Sequence, residues 1–123
     1  MSRINERKRR MSSRYTEIYV LKEMLEKAEI PHEFFSRSFC GFESYQIVYP
    51  NDENRKISVI QGKGTYGAGH NLLEIMGLLT EEELKQNPGV AGGLSAKNIF
   101  DRITADYELN NKVEILPETA FSD

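Results

Sequence analysis

Apolar residues recur along the chain with two periods, and each period predicts one type of element. Between residues 13 and 29 they return every three or four positions, the pattern of an amphipathic helix with one buried face. Pro31 is expected to end that helix. Three short stretches rich in aromatic and β-branched residues follow, separated by turn residues. They predict neighbouring antiparallel strands over residues 32–39, 45–49 and 57–61.

After residue 61 the pattern predicts short helices joined by glycine-rich turns. Four glycines lie within residues 62–69. Asn71 is placed to cap one helical turn over residues 72–76, which Gly77 would end. Thr80 begins a capping-box pattern that predicts a second brief helix.

The last predicted helix begins after a glycine pair at 92–93, which is expected to form a flexible elbow. Ser95 is expected to cap the helix, with Ile99 and Ile103 facing the core. Residues 113–116 predict an edge strand.

These elements predict the α+β class. The expected architecture has an N-terminal amphipathic helix, an antiparallel sheet of three to four strands, a glycine-rich loop and short C-terminal helices. A length of 123 residues suits one domain. Residues 1–14 are expected to form a basic arm or an extension of the first helix, and residues 111–123 a tail.

The composition is that of a globular protein, with 39% hydrophobic and 28% charged residues. No apolar run approaches the roughly 18 residues that a membrane span needs, and no apolar stretch follows the basic start as a secretory signal would require. The single cysteine, Cys40, excludes an internal disulfide and favours the cytoplasm. Together with His32 and His70 it makes too scattered a set for a zinc site. Neither a metal nor a cofactor is expected.

The net charge of −3 conceals a basic arm on an acidic body. Residues 1–14 carry six basic side chains and one acidic one, a charge of +5, which leaves −8 for the rest. Such an arm can bind nucleic acid, pack on the acidic surface of another copy, or remain solvated. A dedicated nucleic-acid binder is more often basic overall, so nucleic acid is the less favoured partner.

Residues 62–67 match the pattern G-x-G-x-x-G, but their context does not fit a dinucleotide-binding fold. The strand before them belongs to an antiparallel meander, and the segment after them is too short for a crossover helix. A glycine-rich loop can still bring backbone N–H groups to an anion. The alternative is a connection whose glycines serve only turn geometry. The candidate ligand-binding residues here are Lys63, Gly64, Tyr66, His70 and Asn71.

The last predicted helix offers a second set of candidates. Asn98, Asp101 and Arg102 are spaced at i, i+3 and i+4 and therefore share one face. Amide and guanidinium groups suit a base edge and a phosphate, and a carboxylate suits ribose hydroxyls. We expect this face to be solvated and open to a groove, with Arg102 as the foremost ligand-binding residue. The alternative is an ordinary wet helix face.

Six aromatic residues crowd into residues 34–49, and most are expected in the core. Phe42 and Tyr45, near a turn between two strands, are the two expected to be exposed for stacking on a base. Catalysis is disfavoured, because the only neat acid–base pair is His70 with Glu74 and no nucleophile motif accompanies it.

Five segments carry a family resemblance: FESYQIVY at 42–49, ISVI at 57–60, GTYG at 64–67, LLEIMG at 72–77 and LSAKNIFDRI at 94–103. Over about residues 15–105 the chain is similar to the Tad-type anti-Thoeris proteins of bacteriophages. The resemblance implies a non-catalytic protein in the cytoplasm of the infected host. It would sequester cyclic ADP-ribose isomers made by a bacterial Toll/interleukin-receptor-domain defence enzyme. It also implies assembly beyond a dimer and capture of cyclic oligonucleotides at a separate site.

A small domain rarely encloses such a ligand alone, so a homo-oligomer with a pocket shared between subunits is expected. The apolar stripe of the first helix is the expected contact between subunits, through Ile18, Leu21, Leu25 and Ala28. Two other functions stay open. One is a phage regulator that binds nucleic acid or protein through the basic arm, and the other is a nucleotide phosphodiesterase that uses His70.

Overall fold

The computed structural model describes residues 15–39, 42–62 and 71–122. A helix is followed by four strands, a short helix, a fifth strand and a long helix. The elements are α1 (Glu17–Lys27), β1 (Glu33–Phe39), β2 (Phe42–Tyr49), β3 (Ile57–Gly62), β4 (Leu73–Met76), α2 (Glu81–Gln86), β5 (Ala91–Leu94) and α3 (Ala96–Ser122). The α+β class predicted from the sequence is confirmed. No helix among these residues is both long and apolar enough to cross a membrane.

The sheet has five antiparallel strands in the order β1-β2-β3-β4-β5, where three to four were expected. Phe34, Ile47, Val59 and Ile75 lie opposite one another across the first four strands. Residues that pair in this way share one face of a sheet. That face carries the core.

The core lies between this face and the helices α1 and α3. The alternation in β2 turns Tyr45, Ile47 and Tyr49 inward, and all three are buried. From α3, Ile99 and Ile103 are fully buried, as their spacing predicted. The helices therefore cover one face of the sheet.

The apolar stripe of α1 belongs to this core, which corrects its expected role between subunits. Ile18, Leu21 and Leu25 each have 0% exposed surface within a single chain. Ala28, the fourth member, is exposed. The helix α1 is amphipathic as predicted. Its apolar face is already packed in the core of its own chain, so it offers no contact to a second copy.

β4 occupies the segment for which the sequence predicted a helical turn. Leu73 and Ile75 are buried and alternate with less buried neighbours, which is the strand period. Asn71 precedes the strand in left-handed backbone, with φ of 57°. Gly77 follows it with φ of 105°, where a Cβ would collide with the carbonyl oxygen of Lys56. Pairing with β3 decides the conformation of this short apolar run.

Three expectations about the C-terminal part were wrong. Gly92 and Gly93, expected to form an elbow, lie in the edge strand β5. The last helix is long, since α3 has 27 residues and includes both the expected strand at 113–116 and nearly all of the expected tail. Its N-terminal cap was predicted correctly, because Ser95 Oγ accepts a bond from the backbone N–H of Asn98 at 3.2 Å.

Candidate functional site

Two helices and two strands meet at one end of the sheet, which we call the polar end and define by Thr16, Glu17, Gln61, Asn71 and Ala96. Both α1 and α3 begin there, since the backbone N–H of Ala96 donates to the Glu17 carboxylate at 2.6 Å. β3 ends there and β4 begins there. The glycine-rich segment is therefore attached, at both of its flanks, beside the N-termini of two helices.

Two side-chain amides cap the N-terminus of α1. Asn71 Oδ1 accepts from the backbone N–H groups of Thr16 and Glu17 at 2.9 and 3.2 Å, and Asn71 Nδ2 donates to Thr16 Oγ1 at 2.5 Å. Gln61, fully buried, donates to the same Asn71 oxygen at 2.7 Å and accepts from the backbone N–H of Ile18 at 3.0 Å. Thr16 occupies the cap position but its own side chain makes no cap bond. The sheet therefore supplies the cap that the helix lacks.

Asn71 thus has a structural role rather than the expected role in ligand binding. Both polar atoms of its side chain are committed to the cap. Gly62, at the other flank, is also required by packing, since a Cβ there would lie 2.9 Å from the carbonyl oxygen of Glu43. The two flanks fix where the segment between them begins and ends.

Four candidates of that segment, Lys63, Gly64, Tyr66 and His70, lie outside the described residues. The side chain of Phe42 lies outside them as well. These five assignments remain predictions.

Tyr45 is buried, with 5% of its surface exposed, and is not available for stacking on a base as expected. Its hydroxyl donates to the Glu43 carboxylate at 2.9 Å. Burial, with a further contribution from this hydrogen bond, raises the pKa of Tyr45 above its ordinary value, so the phenol stays neutral. The expectation failed because strand alternation places Tyr45 on the core face. Rings that lie within 6.3 Å of its own, centroid to centroid, are those of Tyr15, Tyr19 and Phe34.

The first turns of α3 carry exposed polar groups beside the polar end. Asn98 and Asp101 are exposed, as predicted from their spacing. Lys97 Nζ donates to both carboxylate oxygens of Asp101, at 3.2 and 3.0 Å. Asn98 Oδ1 accepts from Arg102 Nε at 2.7 Å. The amide Nδ2 of Asn98 has no partner among the described residues and can donate to a ligand.

Arg102 is not on a solvated face, which corrects the expectation for the foremost candidate. Its side chain is 14% exposed. Its Nη1 and Nη2 atoms each donate to the Glu83 carboxylate at 2.7 Å, and Nη1 also donates to the carbonyl oxygen of Leu78 at 3.0 Å. Because Nε donates to Asn98, all three guanidinium nitrogens of Arg102 are hydrogen-bonded within the chain.

The acid–base pair expected of His70 and Glu74 does not have the helical geometry predicted for it. The pair of His70 and Glu74 was read as one helical turn, but Glu74 lies in the strand β4. His70 lies outside the described residues. Across the described parts of the chain, no three His, Cys, Asp or Glu side chains gather in a way that could hold a metal ion.

Two residues of the polar end were missed by the sequence analysis. Gln61 continues the alternation of Ile57 and Val59, so a polar residue on the buried face was a visible signal of an internal hydrogen-bond group. Glu17 carried no such signal, because its bond to Ala96 joins residues 79 positions apart.

Comparison of the chain with protein-family models, with curated proteins and with solved structures gives no match.

Proposed function

We propose that this protein is a phage immune-evasion protein that binds a cyclic nucleotide second messenger and withholds it from its receptor without degrading it. The ligand class is a cyclic ADP-ribose isomer of the glycocyclic type, and cyclic oligonucleotides are a second class. The site is the polar end together with the glycine-rich segment attached to it. The observation that carries the proposal is the attachment of that segment, at both flanks, beside the exposed polar side chains in the first turns of α3.

The residues at this end suit the groups of such a ligand. Backbone N–H groups of a glycine-rich segment, with Lys63, would bind the two phosphates. The exposed side chains of Asn98 and Asp101 would bind ribose hydroxyls or a base edge. Tyr66 would supply the aromatic face for adenine.

The cap network supports tight binding by fixing the flanks of the segment. Gln61 is fully buried and hydrogen-bonded to Asn71, so the two flanks are tied to each other and to α1. A site whose flanks are already fixed loses less conformational entropy when it binds a ligand. Sequestration depends on such affinity, and it needs neither a nucleophile nor a general base.

A homo-oligomer in the host cytoplasm completes the proposal. A cyclic ADP-ribose isomer carries two phosphates, two riboses and a base, more than the exposed groups of one polar end can surround. A second copy would supply the remaining contacts. The stripe of α1 is excluded as that contact because the core covers it.

Native mass spectrometry after incubation with cyclic ADP-ribose isomers tests the proposal, since it reports ligand mass and stoichiometry together. We expect a complex with at least one isomer, and chromatography of the ligand released by heat should return it unchanged. A linearised or shortened product would make the protein a phosphodiesterase. Failure to bind any isomer or cyclic oligonucleotide, with DNA binding that weakens steeply with salt, would favour a regulator that acts through the basic arm.

A further inference from the structure

Among the described strands, none pairs with the outer edge of β1. β1 stands at one end of the sheet, and β2 is its only partner among the described strands. It is 7 residues long with neither glycine nor proline, whereas the other edge strand, β5, has 4 residues of which two are glycine. A long unprotected edge exposes backbone N–H and C=O groups that can pair with another strand. Of the two edges, β1 is the one suited to receive a further chain.

Three alternate residues of β1 form a charge pattern on the face of the sheet opposite the core, namely Glu33, Phe35 and Arg37. Glu33 pairs with Val48, and Phe35 pairs with Gln46. Glu33 and Arg37 are exposed, and the Arg37 guanidinium lies 5.7 Å from the centroid of the Phe35 ring. The two opposite charges therefore stand symmetrically, each two residues from Phe35. Such a pattern is complementary to itself when the strand is reversed.

We propose that two copies of this chain pair antiparallel through their β1 edges, with a two-fold axis at Phe35. In this register Glu33 of one copy lies opposite Arg37 of the second copy, and symmetry forms the same pair again. The two Phe35 side chains meet at the axis. An isologous contact of this kind requires a surface complementary to itself. Oppositely charged residues directly across a strand pair stabilise it, and like charges there destabilise it.

This inference deepens the oligomer named under the proposed function and rests on it. Antiparallel pairing directs the polar ends of the two copies to opposite ends of one continuous sheet. The β1 contact therefore leaves both polar ends open. A pocket shared between polar ends would need a second contact, so the two contacts together build an assembly of dimers.

A charge-swap experiment tests the register. In Arg37→Glu, acidic residues at positions 33 and 37 face each other in the dimer, and in Glu33→Arg, basic residues do. Each variant should therefore dimerise about ten- to a hundredfold more weakly than the parent. An equimolar mixture should restore the parent affinity as a heterodimer, because every position then faces its opposite charge. Lys85→Glu makes a similar charge change on an exposed residue of α2 and should leave dimerisation unchanged. Sedimentation velocity measures the affinities, native mass spectrometry identifies the heterodimer, and circular dichroism confirms that each variant is folded.

The outcomes separate the two proposals. If both charge variants dimerise as tightly as the parent, the β1 contact is overturned and the homo-oligomer itself is not. Weakened variants that the mixture does not restore overturn the register. A parent that stays monomeric at all concentrations overturns both this contact and the oligomer of the proposed function, but not ligand binding itself.

Discussion

Arg102 of α3 and Glu83 of α2 form an ion pair with two hydrogen bonds, Nη1 to Oε1 and Nη2 to Oε2, each 2.7 Å long. The two side chains are only 14% and 20% exposed. Glu83 also accepts from the backbone N–H of Thr80 at 2.9 Å, which completes the capping box of α2. Since α2 buries no side chain of its own, this ion pair ties the helix to the body of the protein.

Arg102→Ala should therefore destabilise the fold. Removing one partner of a largely buried, doubly bonded ion pair leaves the other charge unpaired, and we expect a loss of about 2–4 kcal/mol in the free energy of unfolding. Lys97→Ala breaks an exposed pair one turn away and should cost less than about 0.5 kcal/mol. Urea unfolding of both variants measures the difference. Equal stability of Arg102→Ala and the parent would show that the ion pair contributes nothing.

Glu83 should also make stability depend on pH in the acid range. The hydrogen bonds from Arg102 lower the pKa of Glu83 to about 2. A carboxyl group whose pKa is lower in the folded state stabilises the fold above its unfolded pKa, and this stabilisation is lost as the pH falls through the folded value. The stability advantage of the parent over Glu83→Gln should hence shrink between about pH 5 and about pH 2. Urea unfolding along this pH range measures it, and a constant difference would contradict the role of the ionised carboxylate.

Asn71 should matter for stability in two separable ways. Asn71→Gly removes the side-chain cap, but glycine adopts the left-handed backbone of this position without strain. This variant should lower the free energy of unfolding by about 1–2 kcal/mol. Asn71→Ala removes the cap and also strains the backbone, so it should cost about 1 kcal/mol more. Asn54→Ala changes an exposed asparagine of the β2–β3 turn and serves as the control. Thermal unfolding followed by circular dichroism ranks the three, and an Asn71→Gly variant as stable as the parent would remove Asn71 from the cap.

Thr104 offers a stabilising substitution. Its hydroxyl is buried on α3 and finds no hydrogen-bond partner within the described part of the chain. Thr104→Val keeps the shape and removes the unpaired oxygen, so the free energy of unfolding should rise by about 1 kcal/mol. Thr104→Ser keeps the hydroxyl and loses the methyl group, and should lower it. A less stable valine variant would mean that the hydroxyl has a partner after all.

The sequence predicted the elements whose pattern is local. The alternation of Tyr45, Ile47 and Tyr49 identified a half-buried strand, and the capping box at Thr80 identified the start of α2. The helical turn predicted at 72–76 was wrong, because a run of five apolar residues is too short to distinguish a buried strand from a buried helical turn. Only its pairing with β3, which is set by tertiary structure, decides between them.

The candidate site was predictable to a smaller extent. The spacing of Asn98 and Asp101 placed them correctly on an exposed face. The same spacing could not reveal what faces Arg102, because Glu83 is 19 positions away along the chain. Asn71 was read from its neighbours as a cap for the residues after it, whereas it caps α1, which precedes it by more than fifty positions.

Calorimetric titration of a glycocyclic ADP-ribose into the folded protein tests the central claim most directly. We predict saturable binding to the parent and to Asn54→Ala, with the ligand recovered intact. Asn98→Ala, the same substitution at the polar end, should bind about tenfold more weakly, since it loses one hydrogen-bond donor to the ligand. Absence of binding to the parent, or binding that Asn98→Ala and Asn54→Ala leave equally unchanged, would contradict the assignment of the polar end as the ligand site.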